Sequence, residues 1–377
     1  MEEAKILLEI IKCFIYDKEC ATSNSIDESK LYKLAKINSV SNFLQNWAKK
    51  YCKSEEIKKE IFKDYSAQIV KDTNQSLELE KILDVFEKNN IKTLIVKGVI
   101  MKDIYPQNYM RQMCDIDILV QSENFKKASK LMKDLGFSKY YNLEKHLIFN
   151  KAPFYIVEMH RKLILKRDIG YEYFNDIWPL CINYKKYKNI YQLSIENAYI
   201  FCILHLLLHF KFTGVKIKDI LDVYLYNEKY KEIMDYSKLD EKFKELDIKE
   251  FEENIKNIAY KWFGTDEIND FDDIEKFILK GTSSNNRVNY SIGNSKGKGD
   301  TVKKLLFPEL EIMEEKYPVL KKAPALLPVM WGTRIFKDIF SKAHSLKSRI
   351  NTVKLIQEAD DEEVEKVKKI YSKLGIK

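Results

Sequence analysis

Apolar residues recur at three- and four-residue spacings through Ala4–Tyr16, Leu31–Tyr51 and Leu77–Lys88, the period of helices with one buried face. No Pro or Gly interrupts residues 1–88, so this stretch predicts a helical N-terminal region. The pattern then shifts. Lys92-Thr93-Leu94-Ile95-Val96 is a short run with β-branched residues that closes at Lys97-Gly98, and Val99–Ile104 returns to helical spacing. Asp115-Ile116-Asp117-Ile118-Leu119-Val120 alternates acid and apolar, then turns wholly apolar, as a strand entering a core does. Ser122–Leu135 reads as a helix with Ser122 at its N-cap and Gly136 just past its end. Phe137–Tyr141, His146–Asn150 and Phe154–Met159 read as three more strands. Helical spacing resumes over Ser194–Phe212, Ile217–Tyr230, Leu239–Leu246 and Phe251–Phe263. Residues 281–300 are rich in Gly, Ser, Asn and Lys and predict a flexible loop. Four of the seven prolines fall within 308–328, which predicts an arm of short helices, followed from about Lys337 by a charged helical tail. The expected division is 1–85 helical, 86–185 an α/β core, 186–280 a helical domain, 281–300 a loop and 301–377 a helical arm and tail.

Composition sharpens this. The chain has 11 Gly and 7 Pro in 377 residues, well under the usual share of roughly 7% and 5%, which argues against sandwiches and propellers. No apolar run is long enough to span a bilayer, the longest being Ala198–Leu208. The opening Met1-Glu2-Glu3-Ala4-Lys5 carries no signal-peptide pattern. Six scattered cysteines without a CxxC pair read as reduced, mostly core thiols, and the expected location is cytoplasmic. Net charge is +8, with Lys interspersed among Glu and Asp; that is a solvated surface with a mild attraction for phosphate or RNA.

The chemistry concentrates in Asp115-Ile116-Asp117. On a strand, residues i and i+2 share a face, with Cα atoms roughly 6.6 Å apart. Two carboxylates so placed converge on divalent cations, and a two-metal site stabilises the attacking and leaving oxygens of an in-line displacement at phosphorus. Glu158, an acid in the apolar strand Tyr155-Ile156-Val157-Glu158-Met159-His160, suits the third carboxylate. Acid–apolar alternation alone also describes an edge strand facing water. What raises the metal reading is Gly98, which sits where a strand turns into a helix and lets backbone N–H groups approach a phosphate chain.

Lys97-Gly98, Tyr105-Pro106, Arg111, Asp115 to Val120, Leu135-Gly136-Phe137 and Glu158-Met159-His160 together resemble the bacterial uncharacterised nucleotidyltransferase family of the DNA polymerase β-like nucleotidyltransferase superfamily. The resemblance continues through Leu204-His205, His209 and Asp222 to Leu306-Phe307-Pro308, Tyr317-Pro318 and Leu326-Leu327-Pro328. It implies a small mixed sheet flanked by helices. The expected class is therefore α+β, a small nucleotidyltransferase core between N-terminal and C-terminal helical regions, predominantly helical overall. It also implies an NTP substrate bound with Mg²⁺ or Mn²⁺, and transfer of a nucleoside monophosphate to an unidentified acceptor with release of pyrophosphate. By position, Asp115 and Asp117 would ligate metal, Glu158 would be the third carboxylate or the base, Gly98 would approach the triphosphate, and Lys97 and Arg111 would neutralise the β- and γ-phosphates. The sequence departs from the superfamily in carrying Gly98-Val99 where a glycine–serine pair is usual, and in carrying Arg161 after His160 where the family often has an aromatic.

Other residues carry two readings each. His160 shares a face with Glu158 and would touch phosphate or acceptor, or bond a neighbouring strand. His205 and His209 share a helix face and read as packing or cleft-lining histidines; no His-Asp dipeptide or zincin Glu accompanies them. Asp219 and Asp222, after Lys216 and Lys218, suggest a buried charge pair. Arg287, Lys296 and Lys298 would close over a nucleotide or simply face solvent. Two rival functions stay open at this point. One is a non-catalytic NTP-binding or scaffold protein. The other is a toxin-like nucleotidyltransferase acting on tRNA or protein, which a basic path from Lys97 and Arg111 to Arg161 and Lys162 would favour. A small molecule, peptide or protein acceptor is expected ahead of nucleic acid, with no membrane partner.

Overall fold

The computed structural model describes all residues except 21–25, 143–145, 154, 281–283, 341–344 and 377. It forms two compact units: Met1–Leu207 with Val215–Gly281, and Leu208–Gly214 with Thr282–Lys377.

The first unit begins with α1 (Glu2–Ile15), α2 (Glu28–Ile37), α3 (Gln45–Tyr51) and α4 (Glu55–Lys88). The run Leu31–Tyr51 is broken because Ser39 takes a left-handed φ of 57°, which ends α2 after Ile37. The helix expected at Leu77–Lys88 instead starts at Glu55 and spans 34 residues. Its earlier turns escape a hydrophobic reading because the side chains they bury include Gln68, Asp72, Gln75 and Glu78. Asp72 pairs with Lys102, and Glu78 with Lys151 and Lys81, so much of that buried polarity is balanced by charge.

One mixed sheet follows, in the order β3-β4-β5-β2-β1-β7-β6. The strands are β1 (Thr93–Ile95), β2 (Ile116–Val120), β3 (Ser138–Asn142), β4 (His146–Lys151), β5 (Tyr155–His160), β6 (Cys181–Asn183) and β7 (Ile190–Leu193). Pairs β2/β5 and β1/β7 are parallel and the others antiparallel. The last two strands, three and four residues long, carry the sheet past residue 185 to Leu193. Between strands lie α5 (Gly98–Lys102), α6 (Phe125–Asp134) and α7 (Tyr171–Phe174). The unit closes with α8 (Ile195–Phe212, whose end belongs to the second unit), α9 (Ile217–Tyr230), α10 (Tyr236–Glu245), α11 (Lys249–Phe263) and α12 (Asp273–Leu279). The core under the sheet joins α4 residues Leu79, Ile82, Leu83 and Phe86 to Ile116, Ile118 and Val120 of β2 and to Val157 and Met159 of β5.

The second unit contains α13 (Ser284–Gly293), α14 (Lys298–Leu306), α15 (Leu310–Lys316), α16 (Leu327–Phe340), α17 (Ser345–Glu358) and α18 (Asp361–Lys373). The stretch expected as a loop at 281–300 thus holds α13 and the start of α14. Val288 and Ile292, four apart, bury one stripe of α13 against Ile356 and Val364, enough to fold an otherwise polar segment. Gly297, at φ 113°, separates the two helices. The proline-rich stretch forms short turns at Pro318–Lys321 and Pro324–Leu326. Helix accounts for 64% of the protein, so the chain is α+β and predominantly helical, as its shortage of Gly and Pro predicts. Among the described residues, no helix is long and apolar enough to cross a membrane. All six cysteines are free; Cys52 is buried, Cys114 is exposed, and the other four are half-buried rather than core.

Candidate active site

Alternation decides which side chains face the site. In β2, Ile116, Ile118 and Val120 point into the core, so Asp117 takes the opposite face, with Asp115 two residues earlier on the same side. In β5, Val157 and Met159 point to the core, so Glu158 and His160 take the opposite face. The parallel register sets Asp117 beside Glu158 and Leu119 beside His160. Glu158 is therefore brought next to Asp117 through backbone pairing of two adjacent inner strands. In β4, His146 stands opposite His160.

The polar contacts form a connected set. Lys97 Nζ donates to Asp117 Oδ1 at 3.0 Å, and His160 Nε2 lies 2.6 Å from the same oxygen. On the other side, His160 Nε2 and His146 Nε2 stand 3.6 and 3.5 Å from Glu158 Oε2. Asp117 and His160 are buried, while Asp115 and Glu158 are half-buried. Burial opposes ionisation of Asp117, yet the Lys97 charge and the His160 contact outweigh it and hold that carboxyl well below its usual range. Asp115 shifts the other way: burial raises it first, and the charge on Asp117 adds to that, with Lys97 and Lys218 opposing. Lys218 on α9, which the sequence places beside Asp219, thus also lends its charge to Asp115.

Lys97 itself occupies an unusual backbone position, φ 55° and ψ −122°, immediately before α5. A non-glycine residue there is strained, by about 1–3 kcal/mol, and the strained residue is the one that touches Asp117. Gly98 follows. A Cβ at Gly98 would come within 2.6 Å of Met113 Sδ and 2.8 Å of Arg111 Nη1, so the missing side chain makes room for these two.

Arg111, expected at the phosphates, stands beside Gly98 in a buried ion pair. Its Nε and Nη2 donate to Asp222 Oδ1 and Oδ2 at 2.8 and 2.7 Å, and the Tyr105 hydroxyl adds a 2.7 Å bond to Oδ1. All three residues are buried. Burial first, and then the Asp222 charge, pushes the Tyr105 hydroxyl well above its ordinary range, so it stays a donor. This is the helix-to-core charge pair that α9 suggested, and it fixes Arg111 beside Gly98.

The remaining candidates are spread out. His205 stacks on Phe201 with centroids 6.2 Å apart, and His209 Nδ1 bonds Thr213 Oγ1 at 3.0 Å. Asp219 accepts the Lys216 backbone N–H at 3.0 Å and lies 3.5 Å from Lys218. Arg161 lies over the Phe125 ring at 4.4 Å, and Lys162 over Tyr171 at 6.0 Å. Lys298 pairs with Asp361, and the Lys296 backbone N–H bonds Asp300; the side chain of Arg287 lies outside the described residues.

His146 is the functional candidate that the sequence reading missed. Its signal was the hairpin register: His146 and His160 are equidistant from Pro153, so a hairpin turning there sets them opposite each other.

Asp115, Asp117 and Glu158 each offer oxygen, the donor type that Mg²⁺ or Mn²⁺ takes, while the ligand atoms that lie within 4.8 Å of one another among the described residues are those of His146, Glu158 and His160. Asp117 already holds two cationic or protonatable partners, so the residues present fit a divalent cation. Comparison with curated proteins and with solved structures finds no match. A family model described as uncharacterised nucleotidyltransferase matches residues 24–264, which include the whole sheet and every residue of the carboxylate site. The chain belongs to that nucleotidyltransferase family.

Proposed function

We propose that the protein moves a nucleoside monophosphate from an NTP to an acceptor oxygen or nitrogen, and that Asp115, Asp117 and Glu158 hold the divalent cations involved. The observation that supports this reading is the parallel register of Asp117 with Glu158 on two inner strands, with Asp115 two residues before Asp117. The cations would supply Lewis-acid stabilisation of the attacking and leaving oxygens at phosphorus.

The chain's own residues do the rest. The acceptor atom bonds to the α-phosphorus as the bond to the bridging oxygen breaks. Pyrophosphate leaves, and where Glu158 serves as the base in place of a cation ligand, the acceptor proton passes to its half-buried carboxylate. Lys97 serves as an exchangeable countercharge: its ammonium neutralises Asp117 while the nucleotide is away and turns to the β- and γ-phosphates when cations replace it. Arg111 acts at one remove, as a positioning residue that stiffens the Lys97–Gly98 turn.

A thermal-shift panel with each NTP plus Mg²⁺ or Mn²⁺ tests this. An NTP present at about 100 times its Kd adds about 2.7 kcal/mol to stability. The wild type should gain with one or more NTPs only when metal is present, and Asp115→Ala/Asp117→Ala should lose that gain. If no NTP shifts the wild type, the reading fails.

A further inference from the structure

The polar face of the sheet carries a second ligand set. His146 of β4, with Glu158 and His160 of β5, offers two imidazole nitrogens and one carboxylate oxygen, all within 4.8 Å of one another. Both imidazoles approach the same atom. His146 Nε2 is 3.5 Å and His160 Nε2 is 3.6 Å from Glu158 Oε2. A direct hydrogen bond would bring each nitrogen to about 2.7–3.2 Å. Two ligand atoms of a tetrahedral ion with bonds near 2.1 Å stand about 3.4 Å apart. Both spacings therefore suit a shared ion better than a direct bond. The rings are already gathered, with centroids 4.8 Å apart, and their backbones are fixed opposite each other by the β4/β5 register.

We propose that His146, Glu158 and His160 form a site for an imidazole-preferring divalent ion of the Zn²⁺ class, which differs in ligand chemistry from the all-oxygen set of Asp115, Asp117 and Glu158 and shares Glu158 with it. Two histidines and one glutamate are a recurring zinc set that leaves a fourth position for water or substrate. Mg²⁺, which favours oxygen ligands, competes poorly for two imidazoles. His160 links the two sets, because its Nε2 also lies 2.6 Å from Asp117 Oδ1. An ion on that nitrogen displaces the proton it shares with Asp117 and places a positive charge beside the carboxylate pair. The site deepens the transfer reading through the shared Glu158, but its existence requires only the three ligands.

The test is a Co²⁺ titration of the full chain after chelation, read as visible absorption, with Zn²⁺ and Mg²⁺ as competitors. Wild type should take up one equivalent of Co²⁺, released by stoichiometric Zn²⁺ and retained in excess Mg²⁺. His146→Gln should weaken uptake at least tenfold, whereas Asp115→Asn should leave it in place. The proposal is overturned if the spectrum does not change, if Mg²⁺ releases the ion as readily as Zn²⁺, or if His146→Gln binds like wild type. Should His146→Gln fail to fold, the wild-type melting temperature decides: a rise with Zn²⁺ that Mg²⁺ does not reproduce supports the site, and no rise overturns it. Loss of Co²⁺ binding with an intact NTP and Mg²⁺ shift rejects this site alone. The converse result rejects the transfer reading alone.

Discussion

Asp222 accepts two parallel bonds from the Arg111 fork and a third from Tyr105, all at 2.7–2.8 Å and all buried. Asp117 receives one ammonium contact at 3.0 Å and one imidazole contact at 2.6 Å, both on Oδ1, and its ammonium partner is partly open to solvent. Both arrangements are acid–base pairs in the same unit, and they do opposite work. A planar guanidinium matched to both carboxylate oxygens has no easy replacement, so the Asp222 pair fixes geometry. A lysine point charge on a flexible stem is easily exchanged for another cation, so the Asp117 pair is the one that suits the proposed cation site. Denticity and access, rather than the presence of opposite charges, separate a structural pair from a functional one.

The largest effect should come from breaking the fixed pair. Asp222→Ala strands a buried guanidinium and should cost about 3–5 kcal/mol in urea unfolding, far more than Asp117→Ala. Comparable losses for the two variants would erase the distinction. Gly98→Ala comes next. The new Cβ meets Met113, which is flexible, and Arg111, which Asp222 holds in place. Overpacking of about 1–3 kcal/mol is expected in thermal unfolding, with partial relief on adding Met113→Ala. A neutral result would mean that Arg111 yields, and that the pair is looser than its bonds suggest. The smallest effect is in the acid limb. Asp117 is depressed when folded, so the unfolded chain takes up its proton first and stability drains as pH falls below the ordinary carboxylate range near 4. Asp115, which is raised, works in reverse: its contribution declines as pH climbs through its shifted value. Asp117→Asn should flatten the acid slope by at most one proton, about 1.4 kcal/mol per pH unit, in urea melts across that range. An unchanged slope would show that Lys97 and His160 do not hold the carboxylate in solution.

Much of this was legible in the sequence because local patterns carried it. The helix over Glu2–Ile15, the acid–apolar strand Ile116–Val120 and the helix Phe125–Asp134 closed by Gly136 announced themselves through spacing and end residues, although Ser122, expected as an N-cap, instead opens a short turn and the helix starts at Phe125 with no side-chain cap. Where burial departs from hydrophobicity, the reading fell short. The middle of α4 buries Gln68, Asp72 and Gln75, so its inner face resembles an outer one. The strands Cys181–Asn183 and Ile190–Leu193 are too short to establish a period, and β7 is held by pairing with a strand nearly a hundred residues earlier. The carboxylates were visible as types at a spacing. Arg111 was visible as a cation and Asp222 as half of a buried charge pair, but 111 residues separate them and nothing local joined the two. His146 carried no motif of its own and was found through strand register.

Chain order adds a consequence of the Arg111–Asp222 bond for folding. Synthesis proceeds from the N-terminus, and domains fold as units in that order. Every carboxylate of the site has been synthesised by residue 158, whereas Asp222 arrives only with α9. A nascent chain halted between those points has all three of the proposed carboxylates but not the clamp that steadies the turn beside them. The growing polypeptide is thus complete in composition before it is stiff, and α9 acts as the late bolt that makes the cradle rigid.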